Sequence, residues 1–171
     1  MLTKKVEKAF NEQVNAEMYS SYLYLAISAH FASQSLNGFA HWMRMQADEE
    51  TMHAMKFFDF ILDRGGKPTL KAIAAPLADF GAPSEAFTTV LDHERKVTSL
   101  IHGLVDVTAK EGDHASAPFL QWFVSEQVEE EKNAQEIVDQ LKLVGDQPAS
   151  LFMIDQMLGQ RAAPSPIADQ P

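Results

Sequence analysis

Apolar side chains recur along this chain at the spacing of one helix face. Val6, Phe10, Val14, Met18 and Leu25 return at three- to four-residue steps or their multiples as far as about Ala32, with no proline between them. That period predicts a first long helix. The polar stretch SQSLNG, 33 to 38, interrupts it. Phe39, Trp42, Met43, Met52, Phe57, Phe60 and Ile61 then carry a second helix, which RGGKP stops with glycines and a proline. The pair should form an antiparallel hairpin. Residues 66 to 83, GKPTLKAIAAPLADFGAP, combine prolines and glycines with retained apolar positions and read as a long ordered crossover. A third helix is expected from about Ser84, taken as its N-cap, to Lys110, and a fourth from about Phe119 to Val144. SLFMIDQMLG predicts a short, apolar fifth helix, and QRAAPSPIADQP a polar, proline-rich tail that should be disordered. No segment alternates as a strand does. Four long helices with one long connection between the second and third make an all-α, one-crossover four-helix bundle.

The length of 171 residues, with 46% hydrophobic content, suits one domain. We expect that domain over 1–160 and the tail over 161–171. There is no run of about 18 apolar residues and no charged-then-apolar leader, so the expectation is a soluble, non-exported, cytoplasmic protein. Without cysteine there are no disulfides, thiolate metal sites or thiol catalysis, and any metal must be held by oxygen and nitrogen. The 24 acidic residues outnumber 14 basic ones, for a net charge of −10. This balance disfavours nucleic acid as a partner and favours cations.

The acids fall into a pattern on that helical frame. Glu17 lies midway along the first helix, Glu50 and His53 along the second, Glu94 along the third, and Gln127 and Glu130 along the fourth. Glu17 and Glu50 are 33 positions apart, as are Glu94 and Gln127; Glu17 and His53 are 36 apart, as are Glu94 and Glu130. Because each hairpin turns near its midpoint, these residues reach the same height in the bundle interior. Several like charges remain ionised there only beside a cation. Glu50-x-x-His53 places both side chains on one helix face, and carboxylate-rich bundles hold metal pairs with this arrangement, although here the second motif is Gln127-x-x-Glu130. A dinuclear metal site follows. Oxygen-rich ligation with one imidazole suits iron or manganese, with O₂ or peroxide reacting at open positions.

With NEQVNAEMYSSYLYLA, DEETMHAMKFFDFILDRGG and FLQWFVSEQVEEEKNAQEIVDQL, the chain resembles the haem-free bacterial ferritins over nearly all of residues 4 to 160. The resemblance implies one iron held by Glu17, Glu50 and His53 and another by Glu50, Glu94 and Glu130, with Glu50 bridging and Gln127 nearby. It implies a third iron at Glu49, Glu126 and Glu129, with Glu130 shared. It further implies a shell of 24 identical subunits around a mineral-filled cavity, with the fifth helix packed at the fourfold axis. The function implied is iron storage with ferroxidase activity, Fe(II) being oxidised by O₂ or H₂O₂.

Two departures from related sequences are informative. Haem-carrying relatives have two Glu-x-x-His motifs and a methionine directly after the first glutamate; here that place is Thr51, so no haem is expected. Animal ferritins line their threefold pores with acids where this chain has Ala117 and Leu120, so the resemblance does not fix its iron entry route. Tyr24 lies two turns past Glu17 on the same face, and its family counterpart sits beside the iron; the alternative is a hydrogen-bonded core tyrosine. Trp122 lies four residues before Glu126, near the third position, although core packing is its default reading. Met52, Met55, Met153 and Met157 read as core or interface filler. His30, His41, His93, His102 and His114 show no ligand spacing. Two other functions compete: a peroxide-reducing di-iron protein of the rubrerythrin kind, which normally carries a cysteine-ligated iron, and a metal buffer without turnover.

Overall fold

The computed structural model describes residues 1–145 and 147–164, and among these every regular element is helical. The helices are α1 (Lys4–Ser33), α2 (Asn37–Asp63), α3 (Pro83–Lys110), α4 (Ser116–Val144) and α5 (Pro148–Leu158). α1 packs along α2 and α3, α3 packs along α4, and α5 lies across the start of α2 with a smaller contact to α4. This is the expected bundle with its short fifth helix.

The helix starts show where local chemistry moved the boundaries. Thr3 caps α1, its hydroxyl accepting from the Val6 amide at 3.3 Å. α3 begins one residue before Ser84, and its cap is Ala82 rather than Ser84. Pro83 suits the first helical position, where no amide proton is needed, and Glu85 reaches back to accept from the Ala82 amide at 2.8 Å. α4 starts at Ser116 rather than Phe119. Pro118 is tolerated there because the first turn has no intrahelical amide partners. Arg64, just past α2, fastens this turn by donating to Asp113 at 2.7 Å and Ser116 at 3.1 Å.

The crossover is ordered, but not by its apolar residues. Leu70, Ile73 and Leu77 are exposed and only Phe80 is buried. Polar clamps from α1 hold the chain instead. The Asn11 carboxamide donates to the Lys67 carbonyl at 3.2 Å and accepts from the Thr69 amide at 2.5 Å; Asn15 donates to the Ala72 carbonyl at 3.2 Å. Farther along, a His30 ring nitrogen lies 2.9 Å from the Gly81 carbonyl. The crossover thus runs beside α1 in the same direction and returns the chain to the end of the bundle where α2 began.

The core divides into two apolar clusters. One, toward the α1–α2 turn, gathers Ile27, Phe31, Phe39, Met43, Phe87 and Leu141. The other, toward the α3–α4 turn, gathers Phe10, Phe57, Ile61, Ile101, Leu120 and Phe123. Between them in sequence on all four long helices lie buried polar residues: Glu17, Glu50 with His53, Glu94, and Gln127 with Glu130.

α5 is joined to α2 by more than apolar contact. Buried Asp155 accepts from the amides of Gly38 at 2.7 Å and Phe39 at 3.0 Å, so a carboxylate from α5 serves the open N-terminus of α2. A Cβ on Gly38 would lie 1.6 Å from the Asp155 carbonyl oxygen, so only glycine permits this approach. We expect Asp155→Ala to cost about 1–3 kcal/mol in chemical denaturation, because it leaves two buried amides without their acceptor. A loss below about 0.5 kcal/mol would show the cap to be dispensable.

Candidate metal centre

Helical spacing brings Glu17, Glu50 and His53 together. One ligand atom from each lies within 4.8 Å of the others, and all three residues are buried. Gln13, one turn before Glu17, donates to Glu17 Oε1 at 2.8 Å. Glu17 Oε2 and Glu50 Oε2 are buried without any hydrogen-bond partner. His53 Nδ1 approaches Glu50 Oε2 to 3.4 Å. The imidazole is boxed by aromatic rings, lying edge-on to Trp122 and Phe123 at centroid distances of 5.5 and 5.8 Å. Its orientation is therefore fixed by packing.

The other half of the polar layer is also supplied with donors. The Tyr24 hydroxyl donates to Glu94 Oε1, and Gln127 Nε2 donates to Glu94 Oε2 at 3.2 Å and to Thr98 Oγ1 at 3.3 Å. Gln46 Nε2 donates to Glu130 Oε2 at 2.5 Å. Gln127 thus uses its amide nitrogen to orient Glu94. The buried tyrosine has its hydrogen-bond partner in a carboxylate of this layer.

Electrostatics set the character of the site. Burial, followed by the neighbouring charge of Glu50, drives the Glu17 carboxyl well above its usual range. Burial drives Glu50 up too, followed by Glu94 and Glu130. Glu94 is raised by burial. Glu130 is pushed up to about 8, by burial and then by Glu94 and Glu49. Tyr24 is also driven well above its ordinary value, by burial and then Glu94. Burial thus works against ionising these four carboxyls together, a cost that a multivalent cation bound among them would offset.

Glu49, His53 and Glu126 form a second, partly exposed group whose ligand atoms lie within 4.8 Å of one another. Glu129 is exposed and is not a member of that group; it lines an open cleft with Lys56, Trp122 and Glu126. Trp122 is half-buried, with the Lys56 ammonium 4.3 Å from its ring centre. Three contributors escaped the sequence pattern. Gln13 and Gln46 each lie four residues before a buried glutamate of their helix, a spacing that marks a shared face. Arg161, in the expected tail, donates to Glu49 at 2.6 Å and to Gln46, and nothing in its local sequence signals this. Residues 165–171 of that tail lie outside the described residues. Of the unassigned histidines, His93 turns its Nε2 toward Ser20 Oγ at 2.8 Å and is pushed down to about 4 by burial and Lys96.

The family model of the ferritin-like domain matches residues 7–144. A bacterial non-heme ferritin of Bacteroides fragilis is 47% identical over 161 residues, spanning 94% of this chain and all of that protein. The chain belongs to the ferritin family. A probable bacterial non-heme ferritin-like protein of Haemophilus influenzae is 40% identical over 159 residues, covering 93% of this chain and 96% of its own. An open-pore ferritin from the archaeon Archaeoglobus fulgidus superposes with a TM-score of 0.93 at 46% identity, over 95% of this chain and 100% of that one. The match thus includes both hairpins that carry the polar layer of this ferritin.

The donor set of Glu17, Glu50 and His53 fits a hard cation, with oxygen ligands, one imidazole, two orphaned carboxylate oxygens and no sulfur, whereas Glu50, Glu94 and Glu130 do not form such a group among the described residues. The raised carboxyls give the pH dependence its sign. Between the unfolded value of 4.5 and the folded value of about 8, Glu130 holds more proton in the metal-free fold than in the unfolded chain. Stability of the metal-free protein should therefore fall as pH rises across that window, while divalent-metal affinity climbs and then levels off. Melting the metal-free protein across the window and titrating Zn(II) at the same pH values checks both slopes. Metal affinity independent of pH would exclude these carboxyls as ligands.

Proposed function

We propose that this chain is an iron-storage ferroxidase. Fe(II), as substrate, binds in pairs within the polar layer: one ion at Glu17, Glu50 and His53, the other at Glu50, Glu94 and Glu130, with Glu50 reaching both. The observation that carries this reading is the pair of buried, unpartnered oxygens on Glu17 and Glu50, in a group with His53. Two Fe(II) ions release two electrons, the number that reduces O₂ to H₂O₂ or H₂O₂ to water. Fe(III) then passes to a mineral store in a shell of identical subunits, 24 by the family resemblance.

The protein's own groups have distinct tasks in this reaction. Gln13, Gln46 and Gln127 each spend an amide N–H on a carboxylate and leave other oxygens for the ions. Tyr24 anchors Glu94 and stands close enough to serve as an electron or proton donor. Glu49 and Glu126, flanked by Glu129, form the outward position through which oxidised iron leaves. Exposed Phe152, Met153 and Met157 on α5, with Leu70 and Leu77 on the crossover, supply apolar surface for burial between subunits of a homo-oligomer. A soluble cytoplasmic store agrees with the helices, none of which among the described residues is long and apolar enough to cross a membrane.

Aerobic Fe(II) addition followed by absorbance tests the function. Glu50→Ala should slow the initial oxidation about 100-fold or more while secondary structure and assembly size stay those of the parent, since removing one of several crowded carboxylates relieves repulsion. An unchanged initial rate in this variant rules out the shared ligand. His53→Ala removes the only nitrogen ligand of the first position; iron-soaked crystals of it should show anomalous density at the second position and none at the first. Equal density at both would remove His53 from the ligand set.

A further inference from the structure

Arg161 follows α5 by three residues, yet its side chain returns to α2 and is only about one-fifth exposed. Four contacts hold it. Nη2 donates to Glu49 Oε2 at 2.6 Å, and Nη1 donates to Gln46 Oε1. The guanidinium carbon lies 4.5 Å from the centre of the Trp42 ring. The residue's own carbonyl lies 2.8 Å from His41 Nε2. His41, Trp42, Gln46 and Glu49 are all α2 residues, so the chain leaving α5 is bound along the helix that supplies Glu50 and His53.

The three side-chain contacts bear on carboxylates near the metal centre. Glu49 belongs to the outer group with His53 and Glu126. A guanidinium is always charged and grips carboxylates through fixed, directed donors, and its stacking on Trp42 holds the plane in place. A cation arriving at Glu49 must compete for the carboxylate and meets a like charge already there. Gln46 carries the influence inward. Its oxygen accepts from Arg161 and its nitrogen donates to Glu130 Oε2 at 2.5 Å. The guanidinium therefore also fixes which end of that amide faces Glu130.

We propose that Arg161 is a positioning residue that keeps the outer metal position weak. It occupies Glu49 as an internal counter-ion, so iron leaving the pair through Glu49, His53 and Glu126 displaces it and is held only in passing. The proposal rests on the outward-transit reading given above. Through Gln46, the same side chain keeps Glu130 supplied with a donor rather than a competing oxygen.

The test uses the full chain with Zn(II), which binds such donors without redox change, followed by calorimetric titration and by anomalous diffraction from zinc-soaked crystals. Arg161→Gln, and a chain ending at Gln160, should each bind zinc at Glu49 and Glu126 about tenfold or more tightly than the parent, the size typical of removing a group that constrains a metal ligand. Arg161→Lys should fall between them and the parent, because an ammonium keeps the charge but lacks the two-pronged grip on Glu49 and Gln46. Equal outer affinity in parent and variants overturns the proposal, as does the absence of zinc at Glu49 in every protein. An arginine that only fastened the chain end would lower melting temperature without changing zinc affinity, which also counts against the proposal. Loss of zinc from the inner pair in the parent would strike the functional reading instead, because the present inference is read at the outer position alone.

Discussion

Four glutamates, all nearly inaccessible to solvent, meet in one layer of this bundle, and Glu50, Glu94 and Glu130 each raise the cost of ionising at least one other. An apolar layer would be the more stable choice if the fold were the only concern. The helices must therefore be held in register by what lies on either side. The two aromatic-rich clusters do this, one behind each hairpin turn. Phe57 stacks on Phe123 at 4.2 Å and Phe60 on Phe119 at 3.9 Å, which joins α2 to α4 directly beside His53. The packing fixes the His53 ring, and the polar layer in turn interrupts the packing.

Within the layer, satisfaction is deliberately incomplete. Three glutamine amides and one tyrosine hydroxyl each supply a hydrogen bond to a carboxylate, whereas Glu17 Oε2 and Glu50 Oε2 receive none. Buried acceptors without partners are rare in folded proteins, and their pairing with an imidazole in one group distinguishes a ligand set from a solvated acidic face. The donors restrain Glu17, Glu94 and Glu130 without neutralising them. That leaves neutralisation to protons or to metal, and makes the two compete.

The helical period exposed the bundle because each long helix buries one continuous face, and matched separations in the two hairpins exposed the layer because register converts sequence distance into height. Gln13 lies one turn before its acceptor Glu17, whereas Gln46 donates across to Glu130 on α4, and an amide has no characteristic spacing unless its acceptor is already known. Ser84 suits a cap by residue type, but Pro83 and the reach of Glu85 put the cap at Ala82, two residues earlier. The crossover's order was attributed to apolar residues that the structure leaves exposed; it comes from Asn11 and Asn15, whose role depends on a neighbour more than 50 residues away. Asp155 and Arg161 were invisible for the same reason. Their partners on α2 are set by how α5 folds back, and no local pattern encodes that.

The charge balance of the layer gives the arrangement a direction. Two divalent ions are matched by four ionised carboxylates, so an Fe(II) pair in the proposed site is close to neutral and suits a low-dielectric interior. Oxidation adds two positive charges that the same four groups do not offset. Glu49 and Glu126 group with His53 on its partly exposed side, and Glu126 is itself raised by burial and then, against the lowering influence of His53, by Glu49. An extra cation is therefore drawn outward. With Arg161 already on Glu49, that attraction is tempered at the proposed outer position.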